Sequence, residues 1–245
     1  MRVIFFFAFI LYSNAFAYTC YSSHCEDIRV GLGIHHSRTY DTGAYLSLYI
    51  GGHWERFYLA GGAMIGQMYP SFAPTIDSKI QNYNSLLFSA YAHIGAKLGG
   101  ENPLFLYVEA LLERYDIGEN HTFSANHTFV GAYMAYHARL SSSIVLEVGA
   151  GISPSILRKY VSESAERGFL SQSSTFDSSF RLESFIGMRF KRGNTYIKKS
   201  DISVRLNAIF YHNRIYDYTP LILPPRQDYA IMLECAMSLE HLLSF

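Results

Sequence analysis

Charge is scarce in this chain: Asp, Glu, Lys and Arg make up 16% of 245 residues, against about 25% in soluble domains. So few charges leave a water-facing surface hard to build. Neither sign is in excess, since 20 Lys and Arg balance 20 Asp and Glu, and a nucleic-acid binder would show a basic surplus. Long apolar runs are missing beyond the N-terminus, so no segment there has the roughly 20 apolar residues of a membrane-crossing helix. Cysteine is limited to Cys20, Cys25 and Cys235. Cys20, His24 and Cys25 offer three metal ligands with no second cluster, which does not point to a metal site, and nothing in the sequence calls for a cofactor. What the chain has in quantity is apolar and aromatic surface, 49% hydrophobic residues with 20 Tyr and 18 Phe. That is ample to offset the entropy of ordering and excludes a disordered chain.

The first 17 residues read as a cleaved secretory signal: Met1-Arg2, an apolar run from Val3 to Leu11, and the small-residue site Ala15-Phe16-Ala17. The mature chain stays nearly neutral. Export places Cys20 and Cys25 in an oxidising compartment, where a local disulfide is their plainest use. Residues 18–26 are expected to form a short periplasmic segment, and 27–245 one domain. Cys235 lies in an alternating segment and is expected to act as a small apolar side chain.

Along residues 27–245 the dominant pattern is strict period-two alternation, the signature of a strand with one apolar face. Leu86, Phe88, Ala90, Ala92, Ile94, Ala96 and Leu98 share one face, opposite Leu87, Ser89, Tyr91, His93, Gly95 and Lys97. Segments of this kind recur about ten times, with eight to twelve as the bounds. Short links near 51–54, 99–103, 141–142 and 192–195 alternate with longer ones near 36–42, 69–82, 115–126, 153–174 and 212–227. The expectation is an all-β, antiparallel, up-and-down transmembrane barrel with short periplasmic turns and long outer loops. A lipocalin-like soluble barrel also alternates. Segment lengths near nine to eleven residues, aromatic strand ends and mixed charges on the polar faces favour the membrane. In the longest outer link, Ser153, Pro154 and Gly168 sit where a short helix would place its cap, first residue and stop.

The last segment alternates from Tyr229 through Cys235 and Leu243 to a terminal Phe245. It resembles the C-terminal strand of Gram-negative outer-membrane β-barrel proteins, departing from that pattern at His241, where an aromatic is usual. The resemblance implies an outer-membrane location, Phe245 as the signal read by the barrel-assembly machinery, and outer-membrane lipid and lipopolysaccharide as surroundings. It does not select an activity, because one fold hosts many.

Two enzymatic arrangements are incomplete in these residues. An omptin-like protease needs paired carboxylates opposite an Asp–His pair at the outer mouth. Asp41, Asp116, His212 and Asp217 fall near outer strand ends, but no Asp-x-Asp or Asp-x-His occurs. A deacylase-like barrel needs a Ser beside a His base, and His35-His36-Ser37 is followed by Arg38 instead of the Asn of that motif. No catalytic residues are therefore assigned. The inward charges Arg29, Lys97, Glu109, Arg139, Glu147, Arg181, Glu183, Arg205 and Glu234 form the candidate lumen network. Opposite signs are expected to pair there, Arg205 with a mid-strand Glu, so that with the large aromatics they fill a narrow interior. The function expected first is presentation of outer loops to host or envelope surface ligands, as an adhesin does, or envelope integrity. A narrow porin-like channel and a lipid-A-modifying or proteolytic enzyme are the alternatives.

Overall fold

The computed structural model describes residues 24–38, 42–68, 85–117, 122–164, 168–191, 201–213 and 227–239. They form β1 (His24–Ser37), β2 (Gly43–Trp54), β3 (Phe57–Met68), β4 (Ser85–Leu98), β5 (Leu104–Ile117) and β6 (Thr122–Arg139). The chain continues with β7 (Ile144–Ser164), β8 (Gly168–Thr175), β9 (Phe180–Lys191), β10 (Asp201–His212) and β11 (Gln227–Ser238). All pairings are antiparallel, and each strand from β1 to β7 pairs with the next. β7 pairs with β9, β9 with β10 and β10 with β11. β11 returns to β1 and closes the ring.

Eleven strands make a ten-stave barrel because β8 and β9 share one stave. Ile144–Pro154 of β7 pairs with β9, and Leu157–Ser164 of the same strand pairs with β8. The stave breaks at 176–179, where Phe176 takes a left-handed φ of 48° and projects into solvent.

The barrel turns its apolar face outward. On β5, Leu104, Leu106, Val108, Ala110 and Leu112 point outside, followed by Arg114 and Asp116. On β6 the outward residues pass from Ser124, Asn126 and Thr128 to Val130, Ala132, Met134 and Tyr136. Leu32 is 66% exposed and Ile94 54%, values that a water-facing wall would not sustain around a whole barrel. Nine tilted strand residues rise roughly 20–25 Å, the height of an outer-membrane apolar band. Beyond that band, β5, β6 and β7 stand clear on the outer side.

Two sequence expectations are corrected here. The helix expected over 153–168 is strand: β7 runs unbroken through Ser164, paired along 157–163 with both β6 and β8. Pro154 has no N–H to donate, so it sits where the β9 pairing ends, opposite Phe180. Gly168 opens β8 opposite Ser164. The long link expected over 115–126 shrinks to 118–121, because β5 runs to Ile117 and β6 begins at Thr122. The polar residues Asp116, Ser124 and Asn126 that read as loop there are half-buried outer ends of strands.

The signal at 1–17, Cys20, the link at 192–200 and Phe245 lie outside the described residues. The longer loop segments 39–41, 69–84 and 214–226 do as well. β1 begins at His24, so Cys25 is its second residue. Cys235 is exposed on the outer face.

Candidate functional site

Alternation sends the polar face of every strand into the lumen, and the closure of the ring decides which charges meet. In the periplasmic half, Asp27 and Arg29 lie two apart on β1 and therefore share a face; Arg29 Nε donates to Asp27 Oδ2 at 2.5 Å. Arg189 of β9 reaches the same Asp27 oxygen at 3.2 Å and Glu147 Oε1 of β7 at 3.1 Å. Arg29 lies 3.9 Å from that Glu147 oxygen. Two cations and two anions thus link β1, β7 and β9 across a chord of the barrel.

The outer half holds a second layer centred on Arg181 of β9. Its Nη1 lies 2.8 Å from Glu183 Oε2 as an ion pair, and donates to the Tyr133 hydroxyl of β6 at 2.8 Å and to Glu109 Oε1 of β5 at 3.5 Å. Its Nε is 3.6 Å from Glu113 Oε1. Glu113 also accepts from Tyr211 of β10 at 2.9 Å and from Tyr115 at 3.2 Å, while His93 Nε2 is 2.8 Å from Glu109 Oε2. This layer spans β4 to β10 with three carboxylates around one guanidinium, and Arg181 is 6% exposed.

Between the layers the wall is aromatic. Tyr107 and Tyr133 stack with centroids 5.5 Å apart, and Phe105, Tyr107, Tyr133 and Phe185 form a buried cluster with Tyr58 against it. Gly95 of β4 lets the β5 backbone that carries Tyr107 approach closely: a Cβ there would stand 2.1 Å from the Leu106 carbonyl and 2.6 Å from Tyr107 Cα.

The expected network is therefore distributed unevenly. Arg29, Glu109, Glu147, Arg181 and Glu183 join cross-lumen ion pairs. Lys97 Nζ donates to His53 Nε2 at 3.3 Å instead of meeting a carboxylate. Arg205 is corrected: its Nε donates to Asn207 at 2.9 Å and its guanidinium carbon lies 3.6 Å from the Phe185 ring centroid, with no ion pair within 4 Å among the described residues. The stacked ring offers a cation–π contact. Glu234 likewise has no ion pair within that distance among the described residues. Arg139 lines the cavity at its exposed periplasmic rim, its N–H donating to Asn102 Oδ1 and its Nε to the Ser141 carbonyl, with no ion pair within 4 Å among the described residues. Asp27, Glu113 and Arg189 were absent from the expected network although the alternation places them on the same faces.

A third buried group fastens the β8–β9 break outside the band. Arg158, 2% exposed, donates to Asp177 at 3.1 Å, to Ser179 Oγ at 2.6 Å and to Tyr160. Asp177 also accepts from the Ser174 hydroxyl at 2.9 Å and the Ser179 N–H at 2.9 Å. Burial alone would raise the Asp177 carboxyl, but the Ser179 and Ser174 hydrogen bonds and the Arg158 charge outweigh it and hold the group below its ordinary value. Sequence reading missed this clamp because it took the segment for a helix.

Among the described residues the enzymatic candidates do not converge. Asp116 pairs with Arg114 on the outer wall at 2.7 Å, and His212 stacks on Phe180 at 5.1 Å. His35 and Ser37 are buried in the lumen while His36 meets Thr42 at 3.3 Å outside it. Asp41 and Asp217 lie outside the described residues. Among the described residues no cluster of three His, Cys, Asp or Glu could hold a metal ion.

Despite the cross-lumen contacts, the interior is not filled. A cavity of about 770 Å³ runs from Gly100 and Pro103 at the periplasmic end to Ser37 and Asn213 at the outer end.

With this geometry in view, comparison with known proteins is informative about fold. No family model matches the sequence, and no curated protein matches it. Among solved structures, the outer membrane protease OmpT from Escherichia coli superposes with a TM-score of 0.51 at 10% identity, covering 91% of this chain and 99% of that one. The fold is that of a small outer-membrane β-barrel. A major outer membrane protein of Thermus thermophilus gives a TM-score of 0.40 at 11% identity, with 87% of this chain and 99% of that chain covered. The Pseudomonas putida toluene transporter TodX gives 0.36 at 9%, with 89% of each chain covered. At 10% identity, what this chain shares with the OmpT structure is the barrel fold alone.

Proposed function

We propose that this outer-membrane barrel is a narrow conduit for small polar solutes. The observation that carries the reading is the lumenal cavity, lined from one rim to the other and narrowed by ion pairs at two levels. A ten-stave barrel lies between eight-stranded barrels filled by side chains and sixteen-stranded porins with wide aqueous channels. On this reading the chain is exported by cleavage after Ala17, inserted through recognition of its terminal strand at Phe245, and surrounded by outer-membrane lipid and lipopolysaccharide.

Liposome swelling with a graded series of uncharged solutes tests the proposal. The smallest solutes should enter slowly, disaccharides should be excluded, and Arg181→Ala should accelerate entry by opening the outer layer. No entry of any solute with either protein would overturn it.

A second reading, surface presentation, has its own support. β6, β7 and β8 continue above the apolar band as a paired sheet fastened by Arg158, a rigid platform for outer loops. Binding of host or envelope surface components by the folded protein, lost when the 155–178 hairpin is deleted, would favour that reading.

A further inference from the structure

Arg205 of β10 and Glu234 of β11 are direct cross-strand partners, and both side chains line the lumenal cavity. Opposite charges so placed stand close enough to pair, yet these two do not approach within 4 Å. They lean apart. Arg205 lies against Phe185 on β9, with its Nε held by Asn207. Glu234 leans the other way, over β1, where its carboxyl carbon stands 3.1 Å from the point a Cβ on Gly31 would occupy. The absence of a side chain at Gly31 is what makes room for it. Every other arginine on the lumenal face of the membrane band, Arg29, Arg181 and Arg189, has a carboxylate within 4 Å. Arg205 differs, and the terminal nitrogens of its guanidinium have no protein acceptor among the described residues.

A guanidinium fixed by a ring and an amide presents a rigid fork that suits a carboxylate. A carboxylate on the far side of the gap suits an ammonium group. We infer that the gap between Arg205 and Glu234 is a binding site for a zwitterion of the α-amino acid class, its carboxylate on Arg205 and its ammonium on Glu234. Tyr91 lines the same cavity, half-buried, and offers ring surface to a side chain. The inference rests on the conduit reading, for which it names the class of solute.

Isothermal titration of the refolded full chain in detergent micelles tests it, with L-phenylalanine, 3-phenylpropionate and phenethylamine as probes. These share one ring and differ only in carrying both charges, the carboxylate alone or the ammonium alone. Phenylalanine should bind about tenfold or more tighter than either analogue, the scale of one charge-assisted hydrogen bond. Glu234→Gln should erase its advantage over phenylpropionate, and Arg205→Gln its advantage over phenethylamine. Retained heat-modifiable migration on gels checks that each variant is folded, and if Arg205→Gln fails that check, Glu234→Gln and the three probes still decide. Equal binding of phenylalanine and either analogue, or no binding of phenylalanine, would overturn the inference. Solute entry in the swelling assay without phenylalanine binding would remove the zwitterion site and leave the conduit reading standing.

Discussion

Arg181 and Arg114 offer the same chemistry at opposite burial, and replacing each by Ala separates the two environments. Arg181 makes contacts at 2.8, 2.8, 3.5 and 3.6 Å to Glu183, Tyr133, Glu109 and Glu113, inside the barrel. Its loss leaves three carboxylates facing one another in a confined lumen. Removing one partner of a buried ion pair costs about 3–5 kcal/mol; water in the remaining cavity screens part of this, so about 3 kcal/mol is expected. Arg114 pairs with Asp116 at 2.7 Å on the outer wall above the apolar band, its side chain 52% exposed. Its loss should cost no more than about 1 kcal/mol. Urea unfolding of both variants in lipid vesicles, followed by tyrosine and tryptophan fluorescence, gives the two differences directly. The backbone ladders of β5 and β9 are untouched in either variant, so the urea dependence should keep its slope. If Arg181→Ala is no more destabilised than Arg114→Ala, the outer charge layer is not a cross-lumen brace and the account of the interior is wrong.

Other outcomes follow from the same geometry. Gly95→Ala forces a Cβ to 2.1 Å from the Leu106 carbonyl, whereas Gly100 has nothing within 4 Å; the first should cost about 1–3 kcal/mol and the second change stability little, as read by the same unfolding assay. Asp177 has a folded-state pKa below its ordinary 3.8, so its contribution to the β7–β8–β9 clamp is complete above that value and fades as the pH falls through the folded pKa. Hydrogen exchange in 156–179 should therefore accelerate in acid for the wild type. In Asp177→Asn it should already be fast at neutral pH, and equal rates for the two proteins at neutral pH would contradict the clamp.

The strands and their inward faces could be read from the sequence because the pleat alone imposes period two. Leu86 to Leu98 alternates without a break, and the barrel places that run as read. The upper half of β7 could not be read this way. Ser153, Pro154 and Gly168 satisfy helix-end chemistry as well as they suit a register change, and the choice is made by non-local pairing with β6 and β8. The charge partners were legible only in part. Asp27 and Arg29 meet because residues two apart on a strand share a face, a rule available from sequence. Arg29 meets Glu147 only because ring closure brings β1 opposite β7. Arg205 was expected on a carboxylate, but its position beside Phe185 depends on which way a side chain leans across neighbouring staves, which alternation does not encode.

The central claim is that the alternating faces are sorted with lipid outside and a wet lumen inside, and native Cys235 tests it. With Cys20 and Cys25 replaced by Ser, the refolded protein in lipid vesicles carries a single thiol on the outward face of β11, beside inward Ala236. Reaction is measured with a membrane-soluble maleimide and with a small charged methanethiosulfonate. Cys235 should react only with the first, and a thiol moved to the next position, in Cys235→Ser with Ala236→Cys, only with the second. Reaction of Cys235 with the charged reagent, together with protection of the thiol introduced at position 236, would show that the faces are inverted and would contradict the barrel's placement in the membrane.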